Sequence, residues 1–103
     1  MSEWAKVTSV EVCTPGQMVA SHVDGVDVVV CNVEGDFYAL EDLCSHQDLP
    51  LSDGELDGSE LICIHHGARF DVCTGRALCL PAIRPVKTFE VEVRDGDVHV
   101  RVG

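Results

Sequence analysis

The chain reads as an all-β protein, a small antiparallel sandwich or barrel, on three observations. Valine is abundant while helix formers are scarce. Apolar and polar residues alternate over short stretches, the period of a half-buried strand. Turn dipeptides recur along the whole length, at Asp24-Gly25, Glu34-Gly35, Asp53-Gly54, Asp57-Gly58, Thr74-Gly75 and Asp95-Gly96. In order, strands are expected near Ala5 to Val10, Gln17 to His22, Val26 to Val33, Asp36 to Leu40, Leu61 to Ile64 and Ala68 to Val72. The last pair is the clearest: Phe89, Val91 and Val93 alternate with polar residues, Asp95-Gly96 supplies a tight turn, and Val98, Val100 and Val102 alternate on the return. Between these elements, Glu41 to Glu60 carries seven acidic residues, two glycines and a proline with no alternation. It is expected to be a long loop, and loops of that length in a compact domain are usually functional or disordered.

Size and charge exclude several classes of function. A chain of 103 residues forms one domain and buries roughly 60–70% of its unfolded surface, enough for a core but not for a core plus a large substrate cavity. Its longest apolar runs, Val28 to Cys31 and Leu61 to Ile64 among them, are four residues, against roughly 20 for a membrane helix. The opening MSEWAKVTSV lacks an apolar signal core, so a soluble cytoplasmic protein is expected. The 18 acidic and 7 basic residues leave a net charge of −11. The basic residues are Lys6, Arg69, Arg76, Arg84, Lys87, Arg94 and Arg101, with none from 7 to 68. Such a surface repels phosphate backbones and excludes nucleic-acid binding. Acidity that simply keeps a small protein soluble competes with steered association to a basic protein partner.

Six cysteines with histidines at short spacing, and no export signal, point to a metal or cluster site rather than a disulfide scaffold. The sequence runs Cys44-Ser45-His46, then sixteen residues, then Cys63-Ile64-His65-His66. Zinc fingers commonly take a pair of cysteines and then a pair of histidines. Here each pair is mixed, which is what a 2Fe-2S cluster needs when cysteines hold one iron and histidines the other. Spacing alone allows His65 as well as His66. Structural zinc on the same residues and mononuclear iron chemistry are the competing readings; the latter lacks a clear set of two histidines and a carboxylate.

The pattern C-x-H, sixteen residues, C-x-x-H resembles that of the Rieske-type ferredoxins. The likeness continues through Arg69-Phe70-Asp71-Val72-Cys73-Thr74-Gly75 to Leu80-Pro81-Ala82 and is similar to the ferredoxin components of bacterial aromatic-ring-hydroxylating dioxygenases of the naphthalene and biphenyl type. It covers essentially the whole chain. The resemblance implies a single Rieske domain over 1–103: a basal β-sandwich or barrel from 1–41 and 83–103, and a cluster-binding subdomain at about 42–82 with a third loop containing Pro81. It implies Cys44 and Cys63 on the inner iron and His46 and His66 on the outer one, selecting His66 over His65. The Rieske proteins of respiratory cytochrome bc complexes add a disulfide and hydroxyl donors, whose positions here correspond to Leu49, His65, Ala68 and Phe70. Hydrogen bonds to sulfur raise the potential, so the low end of the Rieske range of roughly −150 to +300 mV is expected.

The resemblance further implies a one-electron carrier and not an enzyme. Electrons would come from a flavoprotein ferredoxin reductase that oxidises NAD(P)H and go to a terminal oxygenase. A ferredoxin for another oxygenase, such as a diiron monooxygenase, is the alternative. A monomer is expected. The remaining cysteines, Cys13, Cys31, Cys73 and Cys79, are expected to be small buried hydrophobes; a Cys73 to Cys79 disulfide can be drawn, but a reducing cytosol argues against it. His22 and His99 fall in expected strands as surface residues.

Overall fold

The structure, a computed structural model, describes residues 4–43, 50–63, 67–79 and 84–102. These contain β1 (Ala5–Ser9), β2 (Met18–Val23), β3 (Val26–Val33), β4 (Asp36–Glu41), a 3-10 turn (Leu51–Asp53), β5 (Glu55–Asp57), β6 (Glu60–Ile62), β7 (Arg69–Asp71), β8 (Ala77–Cys79), β9 (Thr88–Arg94) and β10 (Asp97–Arg101). They form two antiparallel sheets: six strands in the order β1-β10-β9-β4-β3-β2 and four in the order β5-β6-β7-β8. The all-β expectation holds.

Turn chemistry builds the larger sheet. Asp24-Gly25, Glu34-Gly35 and Asp95-Gly96 all have positive φ at both residues. Each is a two-residue connection, closing Val23 on Val26, Val33 on Asp36 and Arg94 on Asp97. That is the type I′ geometry whose twist matches the flanking strands. The chain leaves this sheet after β4 and returns at β9, where Ala39 pairs with Phe89 and Leu40 with Thr88. Exit and return are tied by Glu41 N–H donating to Lys87 O at 2.9 Å. The whole smaller sheet is threaded between these two points.

β3 joins the two layers. Its run Val28, Val29, Val30, Cys31 and Asn32 is buried without alternation, because both faces are covered. Val28 and Val30 pack with Cys13, Val23, Ala39, Val98 and Val100 inside the larger sheet. Val29 and Cys31 face the other way, into a core with Leu40, Leu51, Leu61, Cys63, Ala68, Phe70, Val72 and Val86. Asn32 is satisfied within the fold, donating from Nδ2 to Cys13 O at 2.7 Å and accepting from Gly35 N–H at 2.8 Å.

The stretch from Glu41 to Glu60, expected to be one loop, instead contains the 3-10 turn and β5. β5 has a single apolar residue, Leu56, and exists because it pairs with β6, Leu56 opposite Leu61. The turn that follows is Gly58-Ser59 rather than Asp57-Gly58, since Asp57 already pairs with Glu60. β8 is likewise absent from the sequence reading; it is held by Phe70 opposite Ala77 and Arg69 opposite Cys79. Cys13 and Cys31 are buried as expected, but Cys73 is exposed with a free thiol, because it sits in the turn after β7 rather than in a strand. His22 is on the surface, with Nδ1 2.9 Å from Asp27 Oδ1, whereas His99 is half-buried in β10.

Candidate metal centre

Of the expected ligands, Cys63 is among the described residues; Cys44, His46 and His66 lie outside them, as do Leu49, His65 and Pro81. Cys63 follows directly on β6 and is 1% exposed. It packs in the core with Leu61, Ala68 and Phe70, so its sulfur belongs to the protein interior rather than to a surface loop. Two backbone bonds close the turn it begins. Cys63 N–H donates to Ala68 O at 2.7 Å, and Gly67 N–H donates to Cys63 O at 2.8 Å. Gly67 has φ of +71°, a left-handed conformation that glycine adopts without steric cost. The second half of the motif therefore springs from a pinned hairpin end.

The described residues on either side of 44–49, the stretch that carries the first half of the motif, are tied together by two residues that the sequence reading did not single out. Asp42 is buried at 7% exposure. Its Oδ1 accepts from Ser52 N–H at 2.7 Å and its Oδ2 from the Ser52 hydroxyl at 2.6 Å. Its own N–H donates to Asp27 O at 2.8 Å. One carboxylate thus joins the chain entering the segment to the chain leaving it and fastens both to β3. In the sequence Asp42 is one of seven acids in an irregular stretch, and nothing distinguishes it from the solvated ones.

A third bounded segment, 80–83, lies between β8 and Val86, whose N–H donates to Gly75 O at 2.9 Å. Gly75 is required there: a Cβ would lie 2.2 Å from Val86 O, and φ is +78°.

Ala68 and Phe70 are fully buried and apolar. Burial pushes the Cys31 thiol up to about 12, with the charges of Cys13 and Asp42 adding to the effect, so Cys31 is a neutral part of the core. On the smaller sheet, Arg69 meets Glu60 at 3.3 Å and Asp57 at 3.8 Å. The hydrogen bond to Cys73, followed by that sulfur's charge, raises the Tyr38 phenol above its ordinary value.

Of the four expected ligands only Cys63 is among the described residues, and its buried thiol at the end of a closed turn suits a 2Fe-2S group with cysteines on one iron. Comparison with known proteins agrees. The Rieske [2Fe-2S] domain matches residues 3–90. The chain is 36% identical over 99 residues to the ferredoxin component of the naphthalene 1,2-dioxygenase/salicylate 5-hydroxylase systems of Ralstonia sp, covering 96% of this chain and 95% of that one. It is 41% identical over 95 residues to the ferredoxin component of biphenyl 2,3-dioxygenase of Rhodococcus jostii, covering 92% and 89%. A solved complex of reduced oxygenase and oxidised ferredoxin in carbazole 1,9a-dioxygenase contains a chain that superposes with a TM-score of 0.89 at 40% identity, covering 94% of this chain and 91% of that one.

Proposed function

This chain belongs to the Rieske [2Fe-2S] domain family, and from that premise we propose that Cys44, His46, Cys63 and His66 are the ligands of its cluster. The protein is an electron carrier of an aromatic-ring dioxygenase system and not itself a catalyst. The cluster, when bound, supplies a one-electron couple. The chain supplies the rest: Cys63 holds a sulfur inside the apolar core, the Cys63–Ala68 and Cys63–Gly67 bonds close the turn it begins, and the Asp42–Ser52 link ties the residues on either side of 44–49. The burial of Cys63 carries this reading, because a buried thiol at the end of a pinned hairpin favours a permanent centre over an exchangeable surface metal.

The terminal oxygenase is the electron acceptor, in keeping with the carbazole complex. The donor is a flavoprotein ferredoxin reductase using NAD(P)H, and the protein works in the cytoplasm as a monomer. Residues 42–82 act as the cluster-binding subdomain and 1–41 with 83–103 as its base. No helix of the described residues is long and apolar enough to cross a membrane.

The test is ligand by ligand. Cys44→Ala, His46→Ala, Cys63→Ala and His66→Ala each lose the visible absorption of the cluster, whereas His65→Ala keeps it. Retention of the spectrum in His66→Ala together with loss in His65→Ala would move the outer iron to the neighbouring residue. Purified oxygenase and reductase then decide the function: electrons from NAD(P)H reach the oxygenase only when this chain is present.

A further inference from the structure

Among the described residues, Asp42 is the one buried side chain that carries a charge. Both its oxygens accept hydrogen bonds from Ser52, one from the amide and one from the hydroxyl, an arrangement that suits the ionised carboxylate. No lysine or arginine of the described residues pairs with it. A buried anion satisfied only by neutral donors keeps its field, whereas an exposed one is screened by water and salt. Consecutive Cα atoms are 3.8 Å apart, so Asp42 lies within about 8 Å of Cys44 along the chain. Its charge also reaches Cys31, which shares the core with Cys63.

We propose that Asp42 is a positioning residue for the redox centre, tying the two ends of segment 44–49 together through Ser52 and holding a fixed negative charge beside the cluster that keeps its reduction potential low. The inference rests on the cluster reading above. Adding an electron makes the centre more negative, and a neighbouring anion in a poorly screened position opposes that step. Of the other described acids of the 41–60 stretch, Asp53, Glu55 and Asp57 are exposed, and Glu41 and Glu60 are half-buried, Glu60 being paired with Arg69; the exposed ones contribute far less. Function follows from this: a carrier with a low potential passes its electron on readily.

The experiment compares the parent with Asp42→Asn, Ser52→Ala and the exposed-turn control Asp24→Asn, measuring midpoint potentials by mediator titration at low salt and at high salt. The parent's visible and EPR spectra are recorded first; a parent without a 2Fe-2S signal refutes the function and the proposal together. With the parent normal, Asp42→Asn is expected to shift the reduction equilibrium about tenfold toward the reduced form, which for one electron is about 59 mV, and the shift persists at high salt. Asp24→Asn is expected to change it by less than about twofold, as screened surface charges do. Exchange of the Ser52 amide proton is expected to be about tenfold faster in Asp42→Asn, where a charge-assisted bond has been weakened. A change below about twofold in Asp42→Asn with its cluster intact, or one that vanishes at high salt as a screened charge would, overturns the proposal. If Asp42→Asn does not retain a cluster, Ser52→Ala decides. It keeps the carboxylate but removes the hydroxyl that disperses its charge, so the equilibrium should move about threefold toward the oxidised form; no movement, or movement the other way, overturns it.

Discussion

Gly75 and Gly35 both have positive φ, at +78° and +98°, but only Gly75 has a neighbour in the way, Val86 O at 2.2 Å from a Cβ. Gly35→Ala should therefore cost about 1 kcal/mol from backbone strain alone, and Gly75→Ala about 3 kcal/mol because the contact with Val86 must also break. Urea denaturation midpoints at unchanged slope measure both. The cysteines differ as sharply. Cys31 is fully buried with its thiol pushed up to about 12, while Cys73 is exposed. Site-resolved alkylation should therefore label Cys73 in the native protein and reach Cys13 and Cys31 only after unfolding. The unfolded Cys31 ionises from about pH 9, and the folded one does not until about 12, so the folded state binds the extra proton in that window. Stability contributed by the neutral thiol is intact below pH 9 and declines as pH rises toward 12, which denaturation at stepped alkaline pH would read out. The proposed ligands come from the sequence, because thiolate and imidazole at fixed short spacing have few other uses. The Asp42–Ser52 link was not, since a buried carboxylate and a solvated one look alike until the chain is folded.

At the scale of elements, local chemistry explains what could be read ahead. The Asp-Gly and Glu-Gly turns dictate their own geometry, so the hairpins β2–β3, β3–β4 and β9–β10 follow from adjacent residues alone. β5 and β8 have three residues each and are held by pairing with the adjacent strands β6 and β7. The smaller sheet is consequently held by its shared core with β3 and β4 more than by its own hydrogen bonds. Phe70 is the largest fully buried side chain among the described residues and packs in the same core as Cys63. Phe70→Ala should cost about 3–5 kcal/mol and accelerate loss of the cluster's visible absorption on incubation with a chelator. Val98→Ala lies in the separate core inside the larger sheet. It should lower global stability with a smaller effect on chelator-induced loss at equal residual stability. Equal loss rates in the two variants would mean that the two cores do not act separately on the centre.

For the molecule as a whole, a net charge of −11 is expected to steer association with partners that present basic surfaces. Reduction by the reductase should slow several-fold between about 50 mM and 500 mM salt, because exposed charges are screened over a few ångströms at the higher value. A rate indifferent to salt, followed by stopped-flow bleaching of the cluster, would leave the acidity as a solubility device. The larger sheet returns the chain at β9 beside the point where it left at β4, so the stretch that contains the proposed ligands leaves and rejoins one sheet. A histidine-ligated 2Fe-2S cluster is tested by low-temperature EPR and visible absorption of the purified protein before and after dithionite, with iron and acid-labile sulfide analysis. The expected outcome is a reddish-brown protein with equal iron and sulfide, whose reduced form gives a rhombic signal of average g well below that of a four-cysteine cluster. A colourless protein with stoichiometric zinc, or a reduced signal of the four-cysteine type, would contradict it.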